Sequence, residues 1–286
     1  MRAEKVLYYC LGGGLGHLSR AKVILDTYQV NDYRILTASH WATKIFPSSV
    51  CIQVPSSLEK DILGLREYLR KVLIDYTPDR IMIDTFPAGI MGELTKDLLG
   101  EIPLLWVCRR LKWQAYQPKL PNVPLFFEQA LLMESLEQEH LDYLSVTSKE
   151  VLAFSWPKTL PVCTISLTDY LSESESQKPL WLLVHSTPQE EVEALADYAQ
   201  EVALIEGIDP CFILITMEAV EMDGVKVVPY FPAIDFYPFA DRIFTGAGFN
   251  SIQWAKVSGI KHHILPFERR YDDQFARKME WGKWAE

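Results

Sequence analysis

The sequence predicts an α/β protein made of two Rossmann-like domains, each built on a mostly parallel β-sheet. Short apolar, β-rich runs alternate with longer helical patterns along the whole chain, and this alternation is typical of parallel sheets covered by helices on both faces. The alternation starts afresh after a polar, acidic, serine-rich stretch at 168–179. In each half a glycine-rich turn follows a predicted strand, at 12–16 and at 246–248.

The first half contains six runs with strand character and two helical patterns. The predicted strands are 5–10, 34–38, 50–54, 80–84, 103–108 and 143–147. Apolar residues recur at helical spacing in two longer segments, 58–75 and 90–99. These elements predict a first domain over 1–170.

The second half repeats this architecture beyond a predicted linker in 168–179. The predicted strands are 180–185, 211–216, 225–230, 242–245 and 262–267. Helices are predicted at 189–206 and from about residue 249, and a last helix follows Asp-Asp-Gln near the end of the chain. These elements predict a second domain over 178–286, and the absence of a short-period sequence repeat argues against a solenoid.

Composition excludes several classes of protein. The formal net charge of −10 argues against a protein adapted to nucleic acid, because phosphate binding usually requires a basic excess. Five widely spaced cysteines without a CxxC pair indicate thiols kept in a reducing compartment. No apolar stretch approaches the ~18 residues of a membrane span, and the first apolar run is too short for a signal peptide. We therefore expect a cytoplasmic protein.

The first glycine turn is followed by a histidine. Four glycines and this histidine come directly after the first predicted strand: Gly12, Gly13, Gly14, Gly16 and His17. A GxGxxG dinucleotide fingerprint would need a glycine at the position of His17, and a P-loop would need Gly-Lys-Ser/Thr in place of Gly-His-Leu. One remaining interpretation is a neutral imidazole at a helix N-terminus, close to a ligand and suited to general base catalysis. The alternative is a tight structural turn that His17 caps.

The second glycine turn is followed by Asn-Ser at the start of a helix. Gly246 and Gly248 follow a predicted strand, and Asn250 and Ser251 open the next helix. A helix N-terminus offers free backbone N–H groups and a partial positive charge, which favour a bound diphosphate. The following strand ends in Pro-Phe, and Asp-Asp-Gln precedes the last helix.

The two motifs together, in this order, resemble those of the GT-B glycosyltransferases, especially the MurG and UDP-glycosyltransferase families. The GGxGH motif of these families matches four residues of the first turn, Gly13, Gly14, Gly16 and His17. Their GxGxNSxxE…P…DQ pattern matches seven residues of the second half: Gly246, Gly248, Asn250, Ser251, Pro266, Asp273 and Gln274. The resemblance implies two Rossmann-like domains that face each other across a cleft. The acceptor would bind to the N-terminal domain, and the nucleotide-sugar donor would bind mostly to the C-terminal domain.

The resemblance also implies roles for single residues of the donor site. Gly248, Asn250 and Ser251 would lie against the donor diphosphate, and Asp273 and Gln274 would reach the hydroxyls of the donor sugar. The remaining predicted donor-site positions are Gly14, Gly16, Ser186, Thr187, Phe231 and Gly246. Phe231 is the candidate contact of the base, whereas Ser186 and Thr187 follow His185 at the end of a strand where relatives carry small residues near the diphosphate. An ordinary helix cap is the alternative for Ser186 and Thr187.

His17 and Asp84 are the predicted catalytic residues. The resemblance implies that His17 is the general base, and Asp84 ends a parallel strand at the edge that faces a ligand crevice. Asp84 would orient His17 or bind the acceptor, and the alternative is a cap of the next helix. The basic, aromatic segment 109–119 is expected to be a solvated loop, with an acceptor-binding or lipid-surface patch as the alternative.

The sequence predicts no metal site and no cofactor. His262 and His263 are adjacent in a predicted strand, so their side chains are expected on opposite faces of the sheet. This agrees with the metal independence of the GT-B families, and the nucleotide sugar, expected to be a UDP-sugar, would be a substrate.

Two features depart from the family pattern. Trp254 stands where the families usually carry an acidic residue that binds the donor ribose, which indicates either a differently seated nucleotide or a core residue. The chain also ends soon after Asp-Asp-Gln, as expected for a short member or an incomplete sequence.

Three functions follow from the resemblance. The first is inverting transfer of a sugar to an acceptor hydroxyl. The second is hydrolysis of a nucleotide sugar, and the third is a non-catalytic subunit that binds sugar nucleotides. The acceptor is undefined; a lipid-linked acceptor, with peripheral contact at the inner face of the membrane, is among the expectations.

Overall fold

The computed structural model describes residues 4–12, 14–163, 165–186 and 188–282. The chain divides into two compact units. Unit 1 consists of the described residues up to Ser155 together with Arg270–Asp273. Unit 2 consists of Trp156–Arg269 and the described residues from Gln274 onward.

Unit 1 contains a seven-stranded sheet in which every strand pair is parallel. Its strands are β1 Lys5–Tyr9, β2 Asp32–Thr37, β3 Cys51–Gln53, β4 Arg80–Asp84, β5 Leu104–Cys108, β6 Gln129–Leu132 and β7 Val151–Ala153. Their order is β3-β2-β1-β4-β5-β6-β7. Because β1 and β4 are parallel neighbours, with Tyr9 opposite Ile83, the loops that follow these two strands start side by side.

The helices of unit 1 connect these strands. They are α1 Leu15–Thr27, α2 Ala42–Ile45, α3 Ile62–Tyr76, α4 Lys96–Leu99, α5 Trp113–Tyr116 and α6 Gln138–Thr147. Helix α1 begins directly after the first glycine turn, and it buries Leu18, Ala21, Ile24 and Leu25 at helical spacing. The same face carries one buried charged residue, Arg20.

Unit 2 contains a five-stranded parallel sheet in the order β10-β9-β8-β11-β12. Its strands are β8 Leu180–Val184, β9 Cys211–Thr216, β10 Lys226–Pro229, β11 Arg242–Gly246 and β12 Lys261–Leu265. Its helices are α7 Gln189–Glu206, α8 Phe249–Ser258 and α9 Gln274–Gly282. Alternate residues of β8 enter two different apolar clusters, Leu182 on one face and Trp181 and Leu183 on the other. The sheet is therefore covered on both faces.

The two parallel-sheet α/β domains confirm the predicted fold class, and three predicted elements match the observed bounds. The segments 80–84, 211–216 and 189–206 are β4, β9 and α7. These segments have strong signals, because two are short continuous apolar runs and the third is a long amphipathic pattern.

The strand predicted at 143–147 is wrong, because these residues form the end of α6. His140, Leu144 and Thr147 are the buried residues of this helix, and their spacing defines one helical face. Tyr143 and Val146 have strand propensity, but packing of that face against the sheet outweighs it. Strands β6 and β7 occupy the edge of the sheet instead.

Only the last four residues of the helix predicted at 90–99 are helical, and they form α4, Lys96–Leu99. Upstream of α4, Gly89 and Gly92 have φ angles of 81° and 85°, a left-handed backbone that interrupts a helix. The residues 86–95 therefore form a long loop after β4.

Candidate active site

The first candidate site lies at the carboxyl edge of the sheet of unit 1. His17 lies in the first turn of α1, and Asp84 is the last residue of β4. The Nδ1 atom of His17 is 2.5 Å from Oδ2 of Asp84. The His17 side chain is 19% exposed whereas that of Asp84 is fully buried. The next helix begins at Lys96, so Asp84 does not cap it.

Asp84 accepts hydrogen bonds from several side chains in addition to His17. Arg20 donates from Nε to Oδ1 at 2.8 Å and from Nη2 to Oδ2. The hydroxyls of Tyr8 and Thr85 donate to Oδ1 and Oδ2, each at 3.2 Å. We call His17, Asp84 and Arg20 the His17 cluster.

The hydrogen count of Arg20 fixes the tautomer of His17. The two hydrogens of Nη2 are used by Oδ2 of Asp84 and by Oγ1 of Thr85, the latter at 2.9 Å. Nη2 also lies 3.2 Å from Nδ1 of His17, but it has no further hydrogen to donate there. Nδ1 of His17 therefore carries the hydrogen donated to Asp84, and the lone pair that accepts a proton is on Nε2.

Burial and charge set the ionisation of this cluster. Burial lowers the pKa of His17 below its usual value, and Asp84 opposes this shift while Arg20 and Arg109 reinforce it. Burial would raise the pKa of Asp84, but the charge of Arg20 and the hydrogen bonds from His17 and Arg20 hold that pKa well below its usual range. At neutral pH the cluster thus contains a neutral imidazole, a carboxylate and a guanidinium.

The glycines before α1 differ in what surrounds them. A Cβ at Gly12 would lie 2.1 Å from Cδ2 of His17, so the imidazole packs directly over that glycine. Gly14 and Gly16 have no heavy atom within 4 Å of an added Cβ, and both are exposed. Gly13 lies outside the described residues. The observed position of the His17 ring therefore requires glycine at Gly12, whereas the structure leaves open space at Gly14 and Gly16.

The loop after β4 forms the wall beside His17. Thr85 has a φ of 66°, which is a strained conformation for a β-branched residue. It is held by Arg20 and by Nε1 of Trp106, which donates to the Thr85 carbonyl at 3.0 Å. Phe86 then stacks on His17 with ring centroids 6.1 Å apart.

Two buried side chains fix the rest of this loop. Glu93 accepts from the backbone N–H groups of Ile90 at 3.2 Å and Met91 at 2.8 Å, and it also accepts from the Tyr9 hydroxyl. The Tyr116 hydroxyl accepts from the N–H of Ala88 at 3.0 Å and donates to the carbonyl of Gly89 at 2.8 Å.

The basic, aromatic segment 109–119 is not the solvated loop expected from its sequence. Five of its side chains are buried: Arg109, Arg110, Leu111, Trp113 and Tyr116. Arg109 donates to Asp272 at 2.9 Å and contacts Glu134, so its charge is compensated inside unit 1. The expectation fails because acidic partners distant in sequence permit this burial.

Residues 270–273 pack within unit 1. Tyr271 lies edge-on to Phe86 and Tyr116, with ring centroids 5.7 and 5.6 Å away, and its carbonyl accepts from the N–H of Lys112 at 2.7 Å. The predicted donor-site residue Asp273 ends this segment, whereas its neighbour Gln274 begins α9 of unit 2.

The second candidate site is the glycine turn after β11 in unit 2. The side-chain oxygen of Gln274 accepts from the N–H of Ala247 at 3.1 Å and from the N–H of Phe267 at 3.0 Å. Arg277 donates to the carbonyl of Ala247 at 2.8 Å. Gln274 is the predicted contact of the donor sugar. Its side-chain carbonyl oxygen thus links the turns that follow β11 and β12.

The two glycines of this turn also differ. A Cβ at Gly246 would lie 3.2 Å from the ring of Phe267, whereas the nearest atom at Gly248 is Oγ of Ser251 at 3.7 Å, an ordinary contact. Gly248 precedes α8 with a φ of −66°, which any residue adopts. Asn250 and Ser251 are half-buried in the first turn of α8. Among the described residues of unit 2, no atom blocks a side chain at Gly248.

A second histidine, carboxylate and arginine group occurs at the end of β8. Nε2 of His185 is 2.8 Å from Oε2 of Glu191, and Arg269 binds both carboxylate oxygens of Glu191. We call these three residues the His185 cluster. Burial lowers the pKa of His185 and Glu191 opposes the shift. Ser186 is half-buried beside this cluster, and Thr187 lies outside the described residues.

The remaining predicted positions of unit 2 lie apart from the glycine turn. Phe231 is half-buried and follows β10, the edge strand, which is three positions from β11 in the sheet. Trp254 packs edge-on against Trp156, with centroids 5.1 Å apart, and contacts an apolar cluster under α8. His262 contacts Thr245 while His263 stacks on Phe244, which agrees with the expectation of opposite faces.

The sequence did not predict three charged residues of these clusters, Arg20, Glu191 and Arg269. Arg20 had an available signal, because it lies one helical turn after His17 on the apolar face of α1. Glu191 and Arg269 are distant in sequence, and only the fold brings them together.

Comparison with known proteins identifies the fold. No family model matches the sequence, and no curated protein matches it. The solved structure of the glycotransferase of kitacinnamycin is 15% identical, with 99% of this chain and 85% of the other covered and a TM-score of 0.60. UDP-GlcNAc 2-epimerase from Neisseria meningitidis, bound to UDP-GlcNAc, is 13% identical, with coverage of 93% and 84% and a TM-score of 0.62. MurG from Acinetobacter baumannii is 14% identical, with coverage of 99% and 84% and a TM-score of 0.50.

These matches confirm the resemblance to the GT-B enzymes at the level of the fold. They include glycosyltransferases and an epimerase, so the fold alone does not choose the reaction. Within the described ranges, no helix is long and apolar enough to cross a membrane. Among the same residues, no group of three or more His, Cys, Asp or Glu side chains is arranged to hold a metal ion.

Proposed function

We propose that this protein is a glycosyltransferase that moves a sugar from a nucleotide-sugar donor to an acceptor hydroxyl, with inversion and with His17 as the general base. The observation that carries this proposal is the contact of 2.5 Å between Nδ1 of His17 and the buried carboxylate of Asp84. It leaves Nε2 of His17 as the proton acceptor, on a side chain that is 19% exposed.

The proposed reaction uses the lone pair on Nε2 of His17. The acceptor O–H gives its proton to Nε2 of His17 while its oxygen forms a bond to the anomeric carbon of the donor. The bond from that carbon to the diphosphate breaks, and its electron pair leaves with the nucleoside diphosphate. Attack on the face opposite the leaving group inverts the anomeric centre. Asp84 holds the imidazole and stabilises the imidazolium that forms, as the carboxylate of a Ser-His-Asp triad does.

The proposed donor site uses unit 2. The diphosphate would lie at the N-terminus of α8, where Gly248 leaves space and where Asn250 and Ser251 open the helix. Gln274 uses its carbonyl oxygen within unit 2, so it would meet a sugar hydroxyl through its amide N–H₂ group. A UDP-sugar is the proposed donor, and the UDP-GlcNAc bound to the meningococcal epimerase supports it.

A second candidate is a nucleotide-sugar enzyme that uses no acceptor hydroxyl, such as a hydrolase in which water takes the place of the acceptor. The observation in its favour is the similarity in fold to UDP-GlcNAc 2-epimerase.

A panel of UDP-, GDP-, dTDP- and CMP-sugars tests both functions. Each donor is incubated with the full chain, with and without soluble and lipid-linked acceptors, and the free nucleotide and the sugar products are quantified. Nucleotide release that depends on an acceptor supports the transferase, and acceptor-free release of the sugar supports the hydrolase. An isomerised sugar still attached to its nucleotide supports an epimerase. Binding measured by calorimetry without turnover would contradict all of these enzymes in favour of a binding subunit.

A further inference from the structure

Arg20 occupies a position where an apolar residue would pack more simply. It lies on the buried face of α1 among leucine, isoleucine and alanine, and it is 1% exposed. Removing a guanidinium from water is unfavourable unless it is paired and hydrogen-bonded, and replacing a buried ion pair by apolar residues is often neutral or stabilising. Arg20 therefore needs an explanation other than packing.

The contacts of Arg20 converge on the group that holds His17. Its Nε and Nη2 atoms bind both oxygens of Asp84, and Nη2 also donates to Thr85 at 2.9 Å. Nη2 is itself 3.2 Å from Nδ1 of His17. Nδ1 of His17 therefore lies within 3.2 Å of the guanidinium and within 2.5 Å of the carboxylate.

A histidine and a buried carboxylate alone would tend to form an ion pair. Asp84 at 2.5 Å would stabilise a positive charge on His17, and a charged imidazole has no lone pair with which to accept a proton. Arg20 cancels the charge of Asp84. Among the described residues, Arg109 also disfavours a positive charge on the imidazole. The hydroxyl of Tyr8, which binds Asp84, is neutral because burial raises its pKa.

We propose that Arg20 is a positioning residue that neutralises Asp84, so that Asp84 orients His17 without making it cationic. This inference deepens the proposed function and rests on it only where catalysis is concerned. Arg20 fixes both oxygens of the carboxylate, and this in turn fixes the hydrogen on Nδ1 and the lone pair on Nε2 of His17. Asp84 alone would supply the orientation but would also promote the charged imidazole.

The charge state of His17 can be measured without any substrate. The sequence contains six histidines, and the His17 signal in an NMR pH titration of the ring protons and ¹⁵N nuclei is assigned as the one missing in His17→Gln. We compare the full-length wild type with Arg20→Met, Asp84→Asn and the double variant Arg20→Met/Asp84→Asn. Arg20→Lys, which keeps the charge but not the paired hydrogen bonds, is the conservative control.

Relative to wild type, the expected shifts of the His17 titration midpoint differ in sign among these variants. In Arg20→Met the midpoint of His17 rises by about one pH unit or more, the usual effect of a neighbouring charge. It falls in Asp84→Asn, where Arg20 acts alone, and it returns toward the wild-type value in the double variant. Arg20→Lys keeps the low midpoint.

An unchanged midpoint in folded Arg20→Met would overturn the proposal. If Arg20→Met does not fold, Asp84→Asn and the double variant decide, because equal midpoints in these two proteins would show that the charge of Arg20 has no influence on His17.

An activity measurement separates this inference from the proposed function. The acid limb of kcat/KM for the active donor should move to higher pH in Arg20→Met, by the same shift as the NMR midpoint. A shifted midpoint without turnover of any donor leaves the electrostatic role intact and contradicts the proposed function. Turnover that needs His17, with a midpoint that Arg20→Met leaves unchanged, contradicts the role of Arg20 only.

Discussion

Both units contain a histidine and an arginine that share one carboxylate, but the two clusters differ in how far the arginine and the carboxylate are exposed to water. Each histidine follows a strand inside its sheet, β1 in unit 1 and β8 in unit 2. The side chains of Arg20 and Asp84 are 1% and 0% exposed, whereas those of Arg269 and Glu191 are 31% and 17% exposed.

This difference in exposure changes how strongly the charged groups of each cluster depend on one another. Charges that are withdrawn from water depend on each other, since water does not replace a lost partner. Charges that border solvent are partly hydrated and screened. We therefore expect the His17 cluster to be more sensitive than the His185 cluster to the loss of one charged partner. The following predictions test this contrast.

The largest expected difference is in turnover. If His17 is the base, His17→Ala lowers kcat by about 10²–10⁴-fold, because a positioned base contributes about that factor. Donor affinity should survive, since the proposed donor site belongs to unit 2. The matched variant is His185→Ala, for which we expect a change in donor affinity and a much smaller change in kcat. Steady-state kinetics and calorimetry on both variants measure these effects, and near-normal turnover by His17→Ala would rule out the proposed base.

The next difference is in stability. Asp84→Ala leaves Arg20 buried without its carboxylate, and breaking a buried pair in this way costs about 3–5 kcal/mol. Glu191→Ala removes the corresponding carboxylate where Arg269 borders solvent, for which we expect about 0–1 kcal/mol. Urea unfolding of the two variants and the wild type gives both values. Equal losses would mean that burial does not distinguish the two clusters.

Buried histidines without a hydrogen-bonded carboxylate should make the stability of the folded protein sensitive to acid. Burial lowers the pKa of His140 to about 3, and no hydrogen-bond partner of its Nδ1 atom is found among the described residues. The unfolded chain binds a proton at this position below the usual histidine pKa of about 6.5 while the folded protein does not. His140 alone should therefore contribute a loss of stability as pH drops from about 6.5 toward 3, with a slope approaching about 1.4 kcal/mol per pH unit for this one residue.

The control for this prediction is a variant that does not titrate at position 140. His140→Phe keeps a ring stacked on Trp113, whose centroid is 4.1 Å from that of His140, and it should flatten the acid part of the stability profile in urea unfolding from pH 7 to pH 4. An unchanged profile would place the acid sensitivity elsewhere, for example at His262, whose pKa burial also lowers to about 3.

The smallest effects concern the glycines that the fold does not require. Gly248→Val should lower stability by only about 1 kcal/mol, because an added Cβ meets only Ser251 at 3.7 Å and the remaining loss is that of a glycine N-cap of α8. It should weaken binding of a free nucleoside diphosphate by tenfold or more, a loss of about 1.4 kcal/mol, if the diphosphate lies there. Gly282→Ala, at the end of α9 and outside the predicted sites, is the matched variant, because an added Cβ there meets no heavy atom within 4 Å, and it should leave diphosphate affinity unchanged. Unchanged diphosphate affinity in Gly248→Val would place the site elsewhere.

Elements with a strong local pattern were predictable from the sequence. β4 is a short apolar run bounded by charged residues, and α7 is a long amphipathic helix that ends at Gly207 with a left-handed backbone. The end of α6 was not predictable, because His140 is placed by two tryptophans, Trp106 and Trp113, from distant parts of the chain. Its position there outweighs the strand propensity of Val146 and its neighbours.

The candidate site was predictable in part for the same reason. The glycine turn pointed to His17, and the end of β4 pointed to Asp84, because both signals are local. The partners of buried charges are not local: Arg109 meets Asp272 across 163 positions of sequence, so its segment had the composition of a solvated loop. Gln274 was identified by its motif, but its two bonds to the turns after β11 and β12 became evident only from the fold.

The loop at 86–93 has a consequence for the thermodynamics of binding. Its backbone is held before any ligand arrives, by the Glu93 carboxylate and the Tyr116 hydroxyl. Restricting the backbone of one residue costs about 1–2 kcal/mol in conformational entropy, and in this loop that ordering accompanies folding. An acceptor that contacts Phe86 would meet a preformed surface. Its association would therefore carry little entropic penalty for ordering this loop, and its affinity would reflect the direct contacts with the loop.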